Sequence, residues 1–239
     1  MSLLEVRQVS KRFGGLTAVD GVSFTVTSGE TVGMIGPNGA GKTTVFAVVS
    51  GFHEATGGEV RFKGEPLTGL RPDEICRRGL VRTFQIVQPF PLLTVLENVM
   101  VGAYLREPAP AAARRRAAQV LETVAMAAKR DMLARNLTLA DLKRLEIARA
   151  LATGPELVLL DETMAGLTPV EVEEVIALVR RLRGQGITFM LIEHVMQAIM
   201  SLSDRVIVLH HGEKIAEGPP RQVANDPRVI EAYLGHAGA

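Results

Sequence analysis

Apolar and polar side chains alternate at residues 3 to 9, 22 to 27 and 58 to 63, the period of strands with one face in water, and they predict an antiparallel β region early in the chain. Residues 31 to 36, TVGMIG, are of the buried strand type. They run through a glycine-rich loop into KTTVFAVVSG, which reads as a helix closed by Gly51. From Thr94 to Arg135 the period becomes helical, with LENVMVGAYL, the breaker EPAP, and then AAARRRAAQVLETVAMAAKR. LVLLDE, ITFMLIEH and DRVIVLHHGEKI supply three more strands, the first two separated by the helix VEVEEVIALVRRLR. Apolar strands alternating with helices predict an α/β fold with a mainly parallel sheet covered on both faces. His211 and Gly212 fall at an expected hairpin turn, which gives His211 a structural reading.

Composition narrows the partners more than the fold. The 239 residues are 47% hydrophobic and 22% charged, enough for one large domain or a core with a smaller lobe. A formal charge of +1 provides no basic field, so nucleic acid is not an expected partner. Cys76 is the single cysteine, which excludes an internal disulfide and fits a reducing compartment. The opening MSLLEVRQVSKRF lacks the apolar stretch of a secretory signal. Runs such as LVLL and FMLI are strand-sized, far short of the ~20 residues that span a bilayer. A soluble chain is expected, with any membrane association made through a partner. Arg114, Arg115 and Arg116 read as a solvated helix face.

The chemistry is concentrated in two segments. Gly36-Pro37-Asn38-Gly39-Ala40-Gly41-Lys42-Thr43 satisfies G-x-x-x-x-G-K-[ST] and lies between a strand and a helix, as that motif requires. Its amides can close around phosphate oxygens, Lys42 can neutralise the outer phosphates, and the Thr43 hydroxyl can hold Mg²⁺. Leu157 to Glu162 is an apolar strand ending in two acids at the carboxyl edge, where parallel sheets present ligands. Asp161 there suits a metal and Glu162 a water-activating base, although Glu162 capping the next segment is the plainer reading. His194, at the end of another strand, can reach a γ-phosphate if the two strands are neighbours; alone, such a histidine is more often structural. Gln85 in VRTFQ can ligate Mg²⁺ and the attacking water, or be a plain loop amide. Phe13 in KRFGG can stack on a purine base, and core packing accounts for a lone phenylalanine equally well.

The order of these pieces resembles the ATP-binding subunit of ABC transporters: Phe13, the phosphate loop at 36 to 43, Gln85, the LTLAD segment, Asp161-Glu162, AGLTP and His194. The resemblance covers nearly the whole chain. KRFGGLTAVDGVSF, VRTFQIVQPFPLLTVLENV, IEHVMQAIMSLSDRVIVLHHGEKIAEG and VIEAYLG are similar, more narrowly, to subunits that drive importers of branched-chain amino acids. It implies a single ATP-binding domain over residues 1–239, a P-loop NTPase core with a helical subdomain at about 94–153. It further implies that Val19 and Thr44 join the nucleotide site, and that residues 85 to 96 lie near transmembrane permease subunits. The chain is then an ATPase at the cytoplasmic face of the inner or plasma membrane. A nucleotide-binding regulatory subunit with little hydrolysis is the alternative.

One segment departs from the pattern. Where the family has an L-S-G-G-Q type head that caps the γ-phosphate of a second subunit, this chain has Leu137-Thr138-Leu139-Ala140-Asp141, followed by an intact Arg144 to Ala150. Thr138 keeps a hydroxyl for the phosphate, but Leu139 and Ala140 add Cβ atoms where the backbone must approach. Asp141 facing a phosphate at ~5 Å, with an effective dielectric constant of 20, would be repelled by roughly 3 kcal/mol. Alternatively Asp141 turns away and caps the following helix. A poor cap favours pairing with a different ATP-binding subunit over a homodimer. Thr163 stands where the family often has proline, and Thr168 where many members have aspartate or asparagine.

Overall fold

The computed structural model describes residues 2–234; Gly235, the last residue of VIEAYLG, lies outside them. Strands β1 (Ser2–Phe13) and β2 (Leu16–Thr27) form a hairpin longer than the alternation predicts. A register shift between Val6 and Val9, with Gln8 at a φ of 49°, breaks the period-2 pattern without ending the strand. Then follow β3 (Thr31–Ile35), α1 (Lys42–Val49), β4 (Gly57–Phe62), the short β5 (Glu65–Pro66), α2 (Pro72–Arg78) and β6 (Leu80–Arg82). Helices α3 (Val95–Ala103), α4 (Pro110–Thr123) and α5 (Leu139–Ala152) come between β6 and β7 (Leu157–Asp161). The chain continues through α6 (Pro169–Gly184), β8 (Thr188–Ile192), α7 (Met196–Leu202), β9 (Arg205–His210), β10 (Glu213–Gly218), α8 (Pro220–Val223) and α9 (Pro227–Leu234).

Two sheets result. One is antiparallel with the order β2-β1-β4-β5; the other, β10-β9-β3-β8-β7-β6, is parallel except for β10. Alternation along the parallel strands divides the interior. Val158, Leu160, Phe189 and Leu191 enter a core shared with α3 to α7, whereas Leu157, Leu159, Met190 and Ile192 enter one shared with α1 and the antiparallel sheet. β9 and β10 are joined at His211 and Gly212, both at positive φ, as a tight hairpin turn requires. Arg116 corrects the reading of a wholly solvated arginine face: it is half-buried, and its Nε donates to the Ala152 carbonyl at 2.6 Å.

Between β6 and α3, residues 83–94 run without regular structure, so their main-chain groups need side-chain partners. Asn98, fully buried, accepts from the Phe90 amide at 2.8 Å and donates to the carbonyls of Phe90 (3.1 Å) and Thr94 (2.9 Å). Thr94 and Glu97 close a reciprocal cap on α3. Asn98→Ala leaves the Phe90 amide and carbonyl without these partners. It should lower unfolding free energy by about 1 to 3 kcal/mol in urea denaturation.

Candidate functional site

The phosphate loop follows β3 and ends at the first turn of α1. Gly36 (φ 149°) and Gly41 (φ 101°) admit no side chain: an added Cβ would lie 2.1 Å from the Leu209 carbonyl oxygen and 2.5 Å from that of Ala18. The first turn of α1 has no acidic residue and no side-chain cap, so its amides are left for an anion. Buried Lys42 folds back on the loop, with Nζ donating to the carbonyls of Gly36 (2.7 Å) and Pro37 (3.0 Å). Burial lowers its pKa, while Glu162 and Asp161 act in the opposite direction. Asn38, Gly39 and Thr43 are exposed, Thr44 is half-buried, and Ala40 is buried. Val19 is buried against the loop at Gly41.

Parallel pairing of β7 with β8, in which Asp161 stands opposite Ile192, brings the acid pair beside the strand that ends before His194. Glu162 is thereby held on both oxygens. Gln85 Nε2 donates to Oε2 at 2.6 Å, and His194 Nε2 lies 3.1 Å from Oε1. Gln85, Glu162 and His194 thus form one cluster. Asp161, 1% exposed, has one oxygen 2.7 Å from Arg82 Nη2 and the other without a hydrogen-bond partner. Burial raises the Asp161 pKa against the opposing effect of Arg82. Thr43, Gln85 and Asp161 line one cavity of about 560 Å³ with Phe84, Glu146 and Arg149. Among the described residues no cluster of three or more His, Cys, Asp or Glu side chains can hold a metal unaided. The orphan Asp161 oxygen and the Thr43 hydroxyl, lining the same cavity, are oxygen donors of the type that fits a cation completed by phosphate oxygens, the usual manner of Mg²⁺.

Phe13 and Thr138 make other contacts. The Phe13 ring, 42% exposed, meets His53 edge-on at 5.1 Å and has Lys11 Nζ 4.9 Å from its centroid. Thr138 caps α5: its hydroxyl accepts from the Asp141 amide at 3.2 Å and donates to Asp141 Oδ2 at 2.9 Å. The Asp141 carboxylate is paired, with Lys129 Nζ 2.6 Å from both of its oxygens. Burial raises the Asp141 pKa, but the bonds from Lys129 and Thr138 outweigh it and hold the carboxyl below its ordinary range. Thr168 caps α6 with Glu171, and the Thr163 hydroxyl lies 3.4 Å from that of Thr83.

Several residues of this region escape a reading by motif: Arg82, Lys143, Glu146, Arg149 and Glu193. Arg82 was visible as a charge in the VRTFQ segment, and the three α5 residues as a polar row spaced by three on a helix that is largely buried. Glu193, 3% exposed, accepts from the Met164 amide at 2.9 Å. Burial and neighbouring Glu162 push its pKa up to about 7, against the Met164 and His194 amides and Lys143.

A phosphate loop feeding a helix, beside two adjacent strands that deliver an acid pair and a histidine to the same carboxyl edge, defines a P-loop nucleotide-binding cassette. Comparison with known proteins carries this further: the family model described as ABC transporter matches residues 19–165, and the chain belongs to that family. A second, described as branched-chain amino acid ATP-binding cassette transporter, matches residues 213–239. Among relatives, the high-affinity branched-chain amino acid transport ATP-binding protein BraF of Pseudomonas aeruginosa is 42% identical, with 98% of each chain covered. LivG of Escherichia coli strain K12, named for the same role, is 43% identical at the same coverage. A nucleotide-free ATP-binding cassette from an ABC transporter superposes with a TM-score of 0.90 at 34% identity, covering 98% of this chain and 100% of that one. The ADP conformation of such a cassette gives the same score and identity, with 98% and 99% covered. ATP-binding proteins of this family are ATPases that power transport, and this chain is one of them.

Glu193 generates a pH prediction. The folded chain holds its proton up to about pH 7, whereas the unfolded chain releases it near the ordinary 4.5. The folded state therefore binds more protons between those values, and this group's contribution to stability falls as pH rises, by at most about 3 kcal/mol. Glu193→Gln keeps an acceptor for the Met164 amide and removes the titration. Relative to wild type, the variant should gain about 1 to 3 kcal/mol in urea denaturation between pH 5 and pH 8.

Proposed function

We propose that this chain is the ATP-binding and hydrolysing subunit that energises an importer of branched-chain amino acids or related small solutes. It acts as a peripheral subunit at the cytoplasmic face of the inner or plasma membrane. The names of its relatives support the solute class. Transmembrane permease partners, as the transport names of its relatives suggest, supply the pathway; among the described residues no helix is long and apolar enough to cross a membrane. Exposed Phe84, Ile86, Phe90 and Leu92 form the apolar surface offered to them. The chain is read as one ATP-binding domain over residues 1–239, with a helical subdomain at about 94–153.

The observation that carries hydrolysis is the Glu162 carboxylate gripped from two sides by Gln85 and His194. With both oxygens engaged, Glu162 has no preferred site for a water proton. ATP would change this by giving each gripping group another partner. The phosphates would take Lys42 from the loop carbonyls and His194 from Glu162, with the loop Gly36 to Thr44 closing around them and Phe13 and Val19 at the base. Mg²⁺, held by Thr43, Asp161 and Gln85, would neutralise phosphate charge. Glu162 would then accept the proton of the attacking water. Accordingly, Glu162→Gln should leave ATP affinity within about threefold in calorimetry and slow phosphate release by roughly 10² to 10⁴. Wild-type turnover by that variant would remove Glu162 as the base.

Pairing follows from the cap. In a head-to-tail dimer this chain would offer its partner's γ-phosphate Thr138, whose hydroxyl already serves Asp141, behind the exposed Leu139. A homodimer would then have two weak sites. With a second ATP-binding subunit that brings an intact cap, the site built on Lys42, Glu162 and His194 would be the competent one. Leu139→Gly, Ala140→Gly and Asp141→Gln together should release the Thr138 hydroxyl and raise phosphate release by the purified chain about tenfold or more, the range of one phosphate-directed donor. Brisk wild-type turnover unchanged by the triple substitution would sink the heterodimer preference.

A further inference from the structure

Helix α5 presents Lys143, Glu146 and Arg149, spaced by three, to one stretch of loop main chain. Glu146 accepts from the Phe84 amide at 2.6 Å, Lys143 donates to the Gln85 carbonyl at 2.8 Å, and Arg149 donates to the Gln88 carbonyl at 2.8 Å. Lys143 is the unusual member. It is 3% exposed, and the same Nζ donates to the Glu162 carbonyl at 3.2 Å. Glu162 has a φ of 48°, a conformation that residues with side chains rarely adopt and that persists only where neighbours hold it. Its amide is tied to the Ile192 carbonyl at 2.8 Å and its carbonyl to Lys143, so the strained turn is pinned from β8 on one side and α5 on the other.

We infer that Lys143 is a positioning residue that locks the Gln85 loop, the Glu162 turn and helix α5 into one mechanical unit. Its ammonium reaches from α5 to the carbonyls of both Gln85 and Glu162 and so joins all three. Its charge also favours the ionised forms of Glu146 on its own helix, Asp161 at the end of β7 and Glu193 just after β8. The consequence for function rests on the proposed roles of Gln85 and Glu162: displacement of the apolar loop surface would reach the base through one hydrogen-bonded cation. The lock itself does not depend on those roles.

Hydrogen exchange on the purified chain tests it. In Lys143→Met, the protected amides of Phe84 and of Glu162, Met164 and Ala165 should exchange about tenfold faster, both segments by a similar factor, while the body of α5 keeps its protection. Ile147→Val, a loss of one buried methyl from the same helix, is the control for a role in stability alone and should affect α5 without joining the two segments. If Lys143→Met reproduces the control pattern, or frees one segment only, or neither, the lock is wrong. Should Lys143→Met lack a cooperative thermal transition, Lys143→Arg carries the same test, since its planar fork cannot seat one nitrogen between both carbonyls. Glu162→Gln turnover judges the hydrolytic reading separately, so the two can fail independently.

Discussion

Four carboxylates, those of Glu146, Asp161, Glu162 and Glu193, converge at one end of the parallel sheet, and the site depends on keeping them there. Three are almost completely withdrawn from water. Burying a carboxylate is costly unless a cation or several donors meet it. No single element can supply those donors. Arg82 comes from β6 to Asp161, the Gln85 side-chain amide and the Phe84 main-chain amide from the loop to Glu162 and Glu146, and the Met164 amide from the turn after β7 to Glu193, while the charge of Lys143 on α5 acts on the buried three without bonding to them. Glu193 has main-chain amides but, among the described residues, no ion-pair partner, and burial pushes it up to about 7. The convergence of the parallel sheet, the inserted helices and the intervening loop is the structural answer to an electrostatic demand made by the acids.

What was legible in the sequence follows from how local each feature is. The phosphate loop announces itself because glycines, lysine and threonine lie within eight consecutive residues, between a buried strand and a helix. The α/β class was readable for the same reason, since periodicity is a property of short windows. β6, with three residues, and β5, with two, are too short to display a period. β1 hides its full length behind a bulge. Arg82, Lys143 and Glu193 were unreadable in a different way. Each is a charged residue whose partner lies 79, 19 or 29 positions distant, so only the folded topology makes it more than a surface charge.

The Thr138 to Asp141 segment shows that residue type does not fix direction. A carboxylate in place of the amide looked repulsive toward a phosphate, yet Lys129, twelve positions earlier, draws it into an ion pair, and Thr138 turns its hydroxyl to the same group. Repulsion gives way to occupation: the hydroxyl is less available because it already has a strong acceptor. Charge-assisted bonds of this kind are stronger than neutral ones. A phosphate arriving from outside must therefore outcompete a partner already in place, a different energetic problem from overcoming a bare like charge.

The loop between β6 and α3 gains significance from its source of support. Sheet strands hold one another through ladders that must break together, whereas residues 84 to 90 are held by individual side chains: Glu146, Lys143 and Arg149 from α5 and Asn98 from α3. Such bonds open one at a time, and each contributes only on the order of 1 to 3 kcal/mol. The loop also carries exposed apolar side chains near the acids, with Phe84 at 42% and Ile86 at 73% exposure. A segment that is greasy outside and pinned by charged side chains inside is suited to docking without becoming rigid. Because one of those pins also holds the strained Glu162 turn, a partner seated on the loop would act on the carboxylate end of the sheet without touching it.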